Sequence, residues 1–282
     1  MRKLILLALG VMIVVTAAAQ KPRSYRLKVG DKFTTTAEIT QAIEQDLMGQ
    51  NQSINQTILN VDEYEVVLFE DGVYRLKSTG IRRKVEMSGA TAIDMDSDLD
   101  GVANLALRAL TGKSFYMKMD IYGKVLELED FDDYKKEVGA DFEGTMLESQ
   151  KEPILMALNE ETIKTSFEIF FHLYAPGKRK TWEDEYEMTV NNLPIAVATN
   201  YVRNGKKISA TGTMALTGEV DVQGATMTAD LSGTQKTDYQ LDKKTGLPTL
   251  VETKQDLSGE MNIQNMTIPM TIKTISKATI TW

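Results

Sequence analysis

Few residues in this chain of 282 have the type and spacing to do chemistry. Asp94, Asp96, Asp98 and Asp100, followed by Gly101, set alternate carboxylates ahead of a glycine, as the acidic half of a calcium loop does. With Asp96 as the first ligand, Leu107 occupies the twelfth position, where a bidentate glutamate is needed. An acidic cap on a helix starting near Gly101, favoured by the helix dipole, explains the same residues at lower cost, so no metal site is assigned. His172 is the only histidine. It can serve as a general base beside a carboxylate, but neither a spread-out triad nor a multi-histidine centre has many ways to form around it. A histidine on a helix flank that hydrogen-bonds locally is the preferred reading. Cysteine is absent, which removes thiol nucleophiles and cysteine-ligated zinc or iron–sulfur groups. There is no Walker loop, GxGxxG, GxSxG or HExxH. No catalytic residue and no cofactor are therefore assigned, and the chain is expected not to be an enzyme.

What the chain has in surplus is apolar and adaptable. It carries 15 methionines, of which Met214, Met227 and Met261 fall on apolar strand faces and Met146 and Met156 on helical stretches. Flexible thioethers suit a cavity that accommodates varied acyl chains, and they also fill irregular cores. The candidate ligand-binding set is Ile163, Phe167, Phe170 and Phe171 together with Met214, Met227 and Met261.

These residues need elements to hold them. Ile163, Phe167, Phe170, Phe171 and Tyr174 recur at the spacing that aligns one stripe on a helix, with Asn159 as its cap and Pro176-Gly177 as its stop. Around it the chain reads as strands. From Phe33 to Leu47 apolar and polar residues alternate, which is the mark of a long half-buried strand. Asp71-Gly72 and Asn204-Gly205 are hairpin turns. Between Leu76 and Val85 the apolar parity slips, so a bulge is expected at Gly80. Helices are expected from Asp100 to Gly112, from Phe131 to Val138 and from Glu143 to Leu158, the last interrupted at Pro153. Long strands resume at Trp182 and run to the end. Asp230-Leu231-Ser232-Gly233 recurs as Asp256-Leu257-Ser258-Gly259 on either side of the turn at Asp242 to Gly246, which brings the two copies level on neighbouring strands, and glycines at matched levels bend a sheet. An apolar helical stripe between two blocks of strands must be covered by them. The expected fold is thus α+β, mainly antiparallel β: a strongly curved half-barrel sheet with helices on its concave face.

Composition bounds the setting. Arg2 and Lys3, the apolar run Leu4 to Val15 and Ala17-Ala18-Ala19 have the parts of a secretory signal peptide, which is expected over residues 1–19 and to be followed by a single half-barrel domain over 20–282. Its strands occupy 30–88 and 177–282, with a helical insert carrying short strands over 89–176. The protein is expected to be exported, to the periplasm or beyond the cell, with no integral membrane segment after cleavage. Without disulfides, stability must come from buried core. The formal charge of −8, made more negative by removal of Arg2 and Lys3, argues against nucleic acid as a partner.

The hairpin Tyr239 to Pro248, with Asp242, Thr245, Gly246, Leu247 and Pro248, resembles the Asp-x-x-Thr-Gly-Leu-Pro turn of the lipoprotein-carrier-like superfamily, which implies a half-barrel plugged by helices. The whole chain also resembles an uncharacterised family of exported bacterial β-rich proteins, through Val29-Gly30-Asp31-Lys32-Phe33, the Asp96-Ser97 region, Gly112-Lys113-Ser114-Phe115 and the Pro176-Gly177 to Trp182 junction. The second resemblance implies compartment and fold but no chemistry; the half-barrel with inner helices and the methionine surplus lead to the expected function, a non-enzymatic binder or carrier of an apolar small molecule or lipid. An envelope structural or interaction protein, with a protein partner and a filled core, is the alternative, and an envelope hydrolase using His172 stands behind both.

Overall fold

A computed structural model describes residues 24–47, 49–89, 92–175, 180–190, 193–222, 225–263 and 266–282. The expected signal peptide and the Pro176-Gly177 stop lie outside the described residues. The strands are β1 Lys32–Leu47, β2 Gln50–Glu70, β3 Val73–Ser88, β4 Ile93–Asp96, β5 Ser114–Asp120, β6 Val125–Glu129, β7 Thr181–Val190, β8 Leu193–Asn204, β9 Lys207–Val222, β10 Ala225–Leu241, β11 Pro248–Ile263 and β12 Met266–Thr281. The helices are α1 Leu105–Arg108, α2 Phe131–Ala140, α3 Lys151–Ala157 and α4 Glu160–Phe171.

All strands join one antiparallel sheet in the order β6-β5-β3-β2-β1-β12-β11-β10-β9-β8-β7, with β4 attached to β3. The first and last strands pair at its centre, Ala37 opposite Ala278 and Ile43 opposite Ile272. The path is open, ending at β6 and β7. Helices α2, α3 and α4 fall between those two edge strands in sequence, and α4 packs against both of them. One buried cluster accordingly takes Phe33 and Tyr64 from the middle of the sheet, Met117 and Leu128 from one end, Tyr201 and Ile208 from near the other, and Phe171 from α4. A flat sheet of this width cannot bring those residues together; a sheet curled around α4 can.

Local structure follows the pattern of residue types, with three differences. Only a 3-10 turn and the four-residue α1 form in the expected helix after Asp100, because Gly101 adopts φ 112° and the Asp100 carboxylate pairs with Arg108 at 3.3 Å instead of capping. Regular helix starts at Lys151 rather than Glu143, which puts Pro153 in the first turn, where its missing N–H has no partner to lose. Helix α4 ends at Phe171, short of Tyr174, as His172 leaves the helical region with ψ 69°. Its N-terminus is capped as expected: Asn159 Oδ1 accepts from the backbone N–H of Glu161 and Thr162.

The parity slip in β3 is a bulge at Ile81, since Val61 pairs with Arg82 while Asp62 pairs with Gly80. Gly80 is required there, because a Cβ would lie 2.4 Å from the carbonyl of Leu110. The two Asp-Leu-Ser-Gly copies sit level, Ser232 opposite Ser258. They fit each other reciprocally: a Cβ on Gly233 would meet the Asp256 carbonyl at 1.8 Å, and one on Gly259 the Asp230 carbonyl at 2.0 Å. Each copy's glycine makes room for the other copy's backbone, where the sheet is pinched.

Candidate functional site

The stripe of α4 closes one wall of a partly enclosed cavity of about 370 Å³. Ile163, Phe167, Phe170 and Phe171 form that wall; Phe115, Phe131 and Tyr134 from β5 and α2 form a second, and Ala37, Tyr64 and Leu110 contribute to the opposite side. The aromatic rings interlock, with Phe167 6.0 Å and Phe171 5.7 Å from Tyr64 in edge-on geometry, and Phe115 6.1 Å from Phe167.

One end of this apolar space is polar. Asp62 and Arg83 line it alongside Asn60, Thr35 and Ser78, and the Asp62 carboxylate receives a hydrogen bond from the Arg83 guanidinium. The Ile81 bulge makes the pairing, since it moves the inward-facing parity of β3 from Ser78 and Gly80 to Arg83, beside Asn60 and Asp62 of β2. Arg83 Nη1 is further fixed by the carbonyls of Val61 and Arg82, each at 2.9 Å. Burial raises the Asp62 pKa, against the opposing pull of the Arg83 charge.

Helix α4 is tied to both edges of the sheet. Glu168 accepts the backbone N–H of Val125 on β6 at 2.9 Å, filling an edge donor that no strand takes. His172 Nδ1 lies 3.3 Å from Asp184 on β7. That contact raises the His172 pKa, although burial works the other way. The carbonyls at the end of α4 are also held, Phe171 by the Tyr25 hydroxyl at 2.7 Å and Ile169 by that of Tyr239 at 3.4 Å. His172 is not part of the cavity lining. Its contact is with the edge strand β7 rather than within the helix, where a local hydrogen bond is expected.

The seven predicted site residues divide into two groups. Ile163, Phe167, Phe170 and Phe171 line the cavity together. Met214, Met227 and Met261 belong to a second apolar cluster farther along the strands, with Val197, Leu231 and Leu257. A polar row separates the clusters, running in register across the inner face: Asp184, Thr199, Gly212, Gln235, Gln255, Thr274, Gln41 and Gln56. Within it Gln235 Nε2 donates to Thr199 at 2.8 Å and Gln41 Nε2 to Thr274 at 3.3 Å. Met146 and Met156 are exposed, at 82% and 72%. The residues of this arrangement that sequence reasoning missed are Asp62 and Arg83 in the cavity lining and Glu168 at the edge of the sheet. The parity slip at Gly80 was a signal for the first two, because carrying it through β3 turns Arg83 inward.

The acidic run serves the fold. Asp96 accepts from Arg82 Nη2 at 2.6 Å and from the backbone of Asp98 at 3.0 Å, which lowers its pKa to about 2. Asp98 shares the same arginine at 3.0 Å. Among the described residues no group of three or more histidine, cysteine or acidic side chains is placed to hold a metal ion.

A model of a family of unknown function, DUF6263, matches residues 71–248. The chain belongs to that family. The matched span runs from the Asp71-Gly72 hairpin to the start of β11, so it takes in the bulge, the cavity-lining helices and the Thr-Gly-Leu-Pro turn. No curated protein matches the chain. Among solved structures it is similar to one described as lipid–protein interactions in lipovitellin, at 7% identity and a TM-score of 0.51, over 91% of this chain and 26% of that one. The chain spans about a quarter of that structure's length, and the likeness is one of fold. An outer membrane channel from Pseudomonas putida F1 aligns over 92% of this chain and 98% of its own at 8% identity, with a TM-score of 0.32. No helix among the described residues is long and apolar enough to cross a membrane.

Proposed function

We propose that this protein is an exported, non-enzymatic binder of an apolar or amphipathic ligand, a lipid or lipid-modified chain, held in the cavity beneath α4. The observation that carries this reading is the cavity, whose wall is made by the four apolar residues of the α4 stripe and the aromatic residues facing them. Its volume of about 370 Å³ lies near the lower end of the range of roughly 300–1,000 Å³ that ligand sites occupy, which suits a single chain or a small amphiphile. The lipid-associated description of the lipovitellin structure, which shares this fold, points the same way. Ligand entry would displace α4 from the sheet, so α4 acts as the plug and its two edge contacts as its fastenings. The methionine cluster beyond the polar row is a reserve of adaptable surface on the same concave face.

Native mass spectrometry of the protein purified from its own source tests the reading, paired with an Ile163→Trp variant that fills the cavity. A co-purifying lipid lost from the folded variant is the expected result. A clean unliganded mass, with no long-chain amphiphile raising the melting temperature, would overturn it.

A further inference from the structure

We propose, building on the reading of the cavity as an amphiphile site, that it selects ligands with an uncharged, hydrogen-bonding head, such as a primary alcohol or amide, over carboxylates and ammonium ions of equal chain length. The polar end of the cavity decides this. Asp62 and Arg83 are the only formally charged residues in the lining, and they are bonded to each other, so the site presents no net charge to a head group. It does present both kinds of hydrogen-bonding capacity. Three guanidinium N–H bonds are spent on Val61, Arg82 and Asp62 Oδ1, which leaves further donors on Arg83 and the Asp62 Oδ2 acceptor without a partner among the described residues. A hydroxyl or amide can give to the carboxylate and accept from the guanidinium, replacing the bonds it leaves in water.

A charged head finds no such balance. A carboxylate next to Arg83 is also next to Asp62, and the attraction and repulsion offset while its lost hydration is not restored. An ammonium ion meets the mirror of that situation. Burial already outweighs the guanidinium in setting the Asp62 pKa, so a second anion would enter a site that holds its present one at a cost. The overall charge of −8 works against an anionic ligand at longer range.

The test is calorimetric titration of the intact protein with decanol, decanoate and decylammonium, each kept monomeric, at low and high salt. Decanol is expected to bind at least tenfold more tightly than either ion, with an affinity that does not change with salt. Asp62→Asn, which keeps an acceptor for Arg83 but removes the charge that offsets it, should move the decanoate-to-decanol preference at least tenfold toward decanoate. Decanoate or decylammonium binding wild type as tightly as decanol overturns this selectivity and leaves the binding reading intact. Binding of none of the three refutes both. Should Asp62→Asn not fold, the wild-type ranking and its salt dependence decide alone.

Discussion

Removing the Glu168 carboxylate tests whether α4 is a fastened plug. In Glu168→Ala the N–H of Val125, a residue 5% exposed on edge strand β6, loses its acceptor. Leaving such a donor unfilled costs about 1–3 kcal/mol. At about 1.4 kcal/mol per tenfold, that raises the opening equilibrium of α4 by about 5- to 150-fold. Hydrogen exchange read by mass spectrometry should show the loss in Ile163–Phe171 and in β6, with β1 and β12 at the centre of the sheet nearly unchanged. Glu168→Gln keeps an acceptor and should lose less than half as much, since charge-assisted bonds are roughly twice as strong as neutral ones. If the opened form is the one that admits ligand, Glu168→Ala should also tighten apparent binding by up to the same factor. Unchanged protection of α4, or protection lost equally across the central strands, would refute the fastening.

The second fastening is pH-dependent. His172 has its folded pKa raised by Asp184, so its stabilisation is fully present below the unfolded value of about 6.5 and is lost as pH rises through the folded value. Because His172 is the only histidine, its proton NMR signal titrates without overlap; the midpoint should lie above about 6.5 and fall in Asp184→Asn, and a midpoint that stays put in the variant would rule the contact out. At the pinch in the sheet, Gly233→Ala and Gly259→Ala should each cost about 1–3 kcal/mol in denaturant unfolding. Their effects should be non-additive because each glycine accommodates the other copy's backbone. Additive losses below about 0.5 kcal/mol would show that the strands are not pressed together there.

Most of the elements were legible in the sequence because their signals are local. Alternation marked the strands, Asp71-Gly72 and Asn204-Gly205 the hairpins, and Asn159 the start of the α4 stripe. The slip across Gly80 marked the bulge, and the Asp-Leu-Ser-Gly recurrence the level at which β10 and β11 are pinched. The helix expected after Asp100 forms only in part, because an acidic residue before an apolar stripe looks the same whether it caps a helix or pairs with an arginine. Met214, Met227 and Met261 share inward faces with the cavity lining but belong to a second cluster, since period two says which face a residue takes and not how far along the strand its partners lie.

What the amino-acid sequence determined by itself is the alphabet of the fold: long amphipathic strands, one apolar helix face, and a chain without cysteine and with a single histidine. Tertiary structure alone decided that both edges of the sheet meet one helix. It also decided that Asp62 joins Arg83 in an aromatic cavity, and that a polar row divides the concave face. Those arrangements depend on how far an open sheet coils, a quantity summed over eleven strand pairings. Each pairing adds a small twist that no single stretch of residues encodes, so α4 meets β6 and β7 together, through Glu168 with Val125 and His172 with Asp184, only once the open sheet has curled around it.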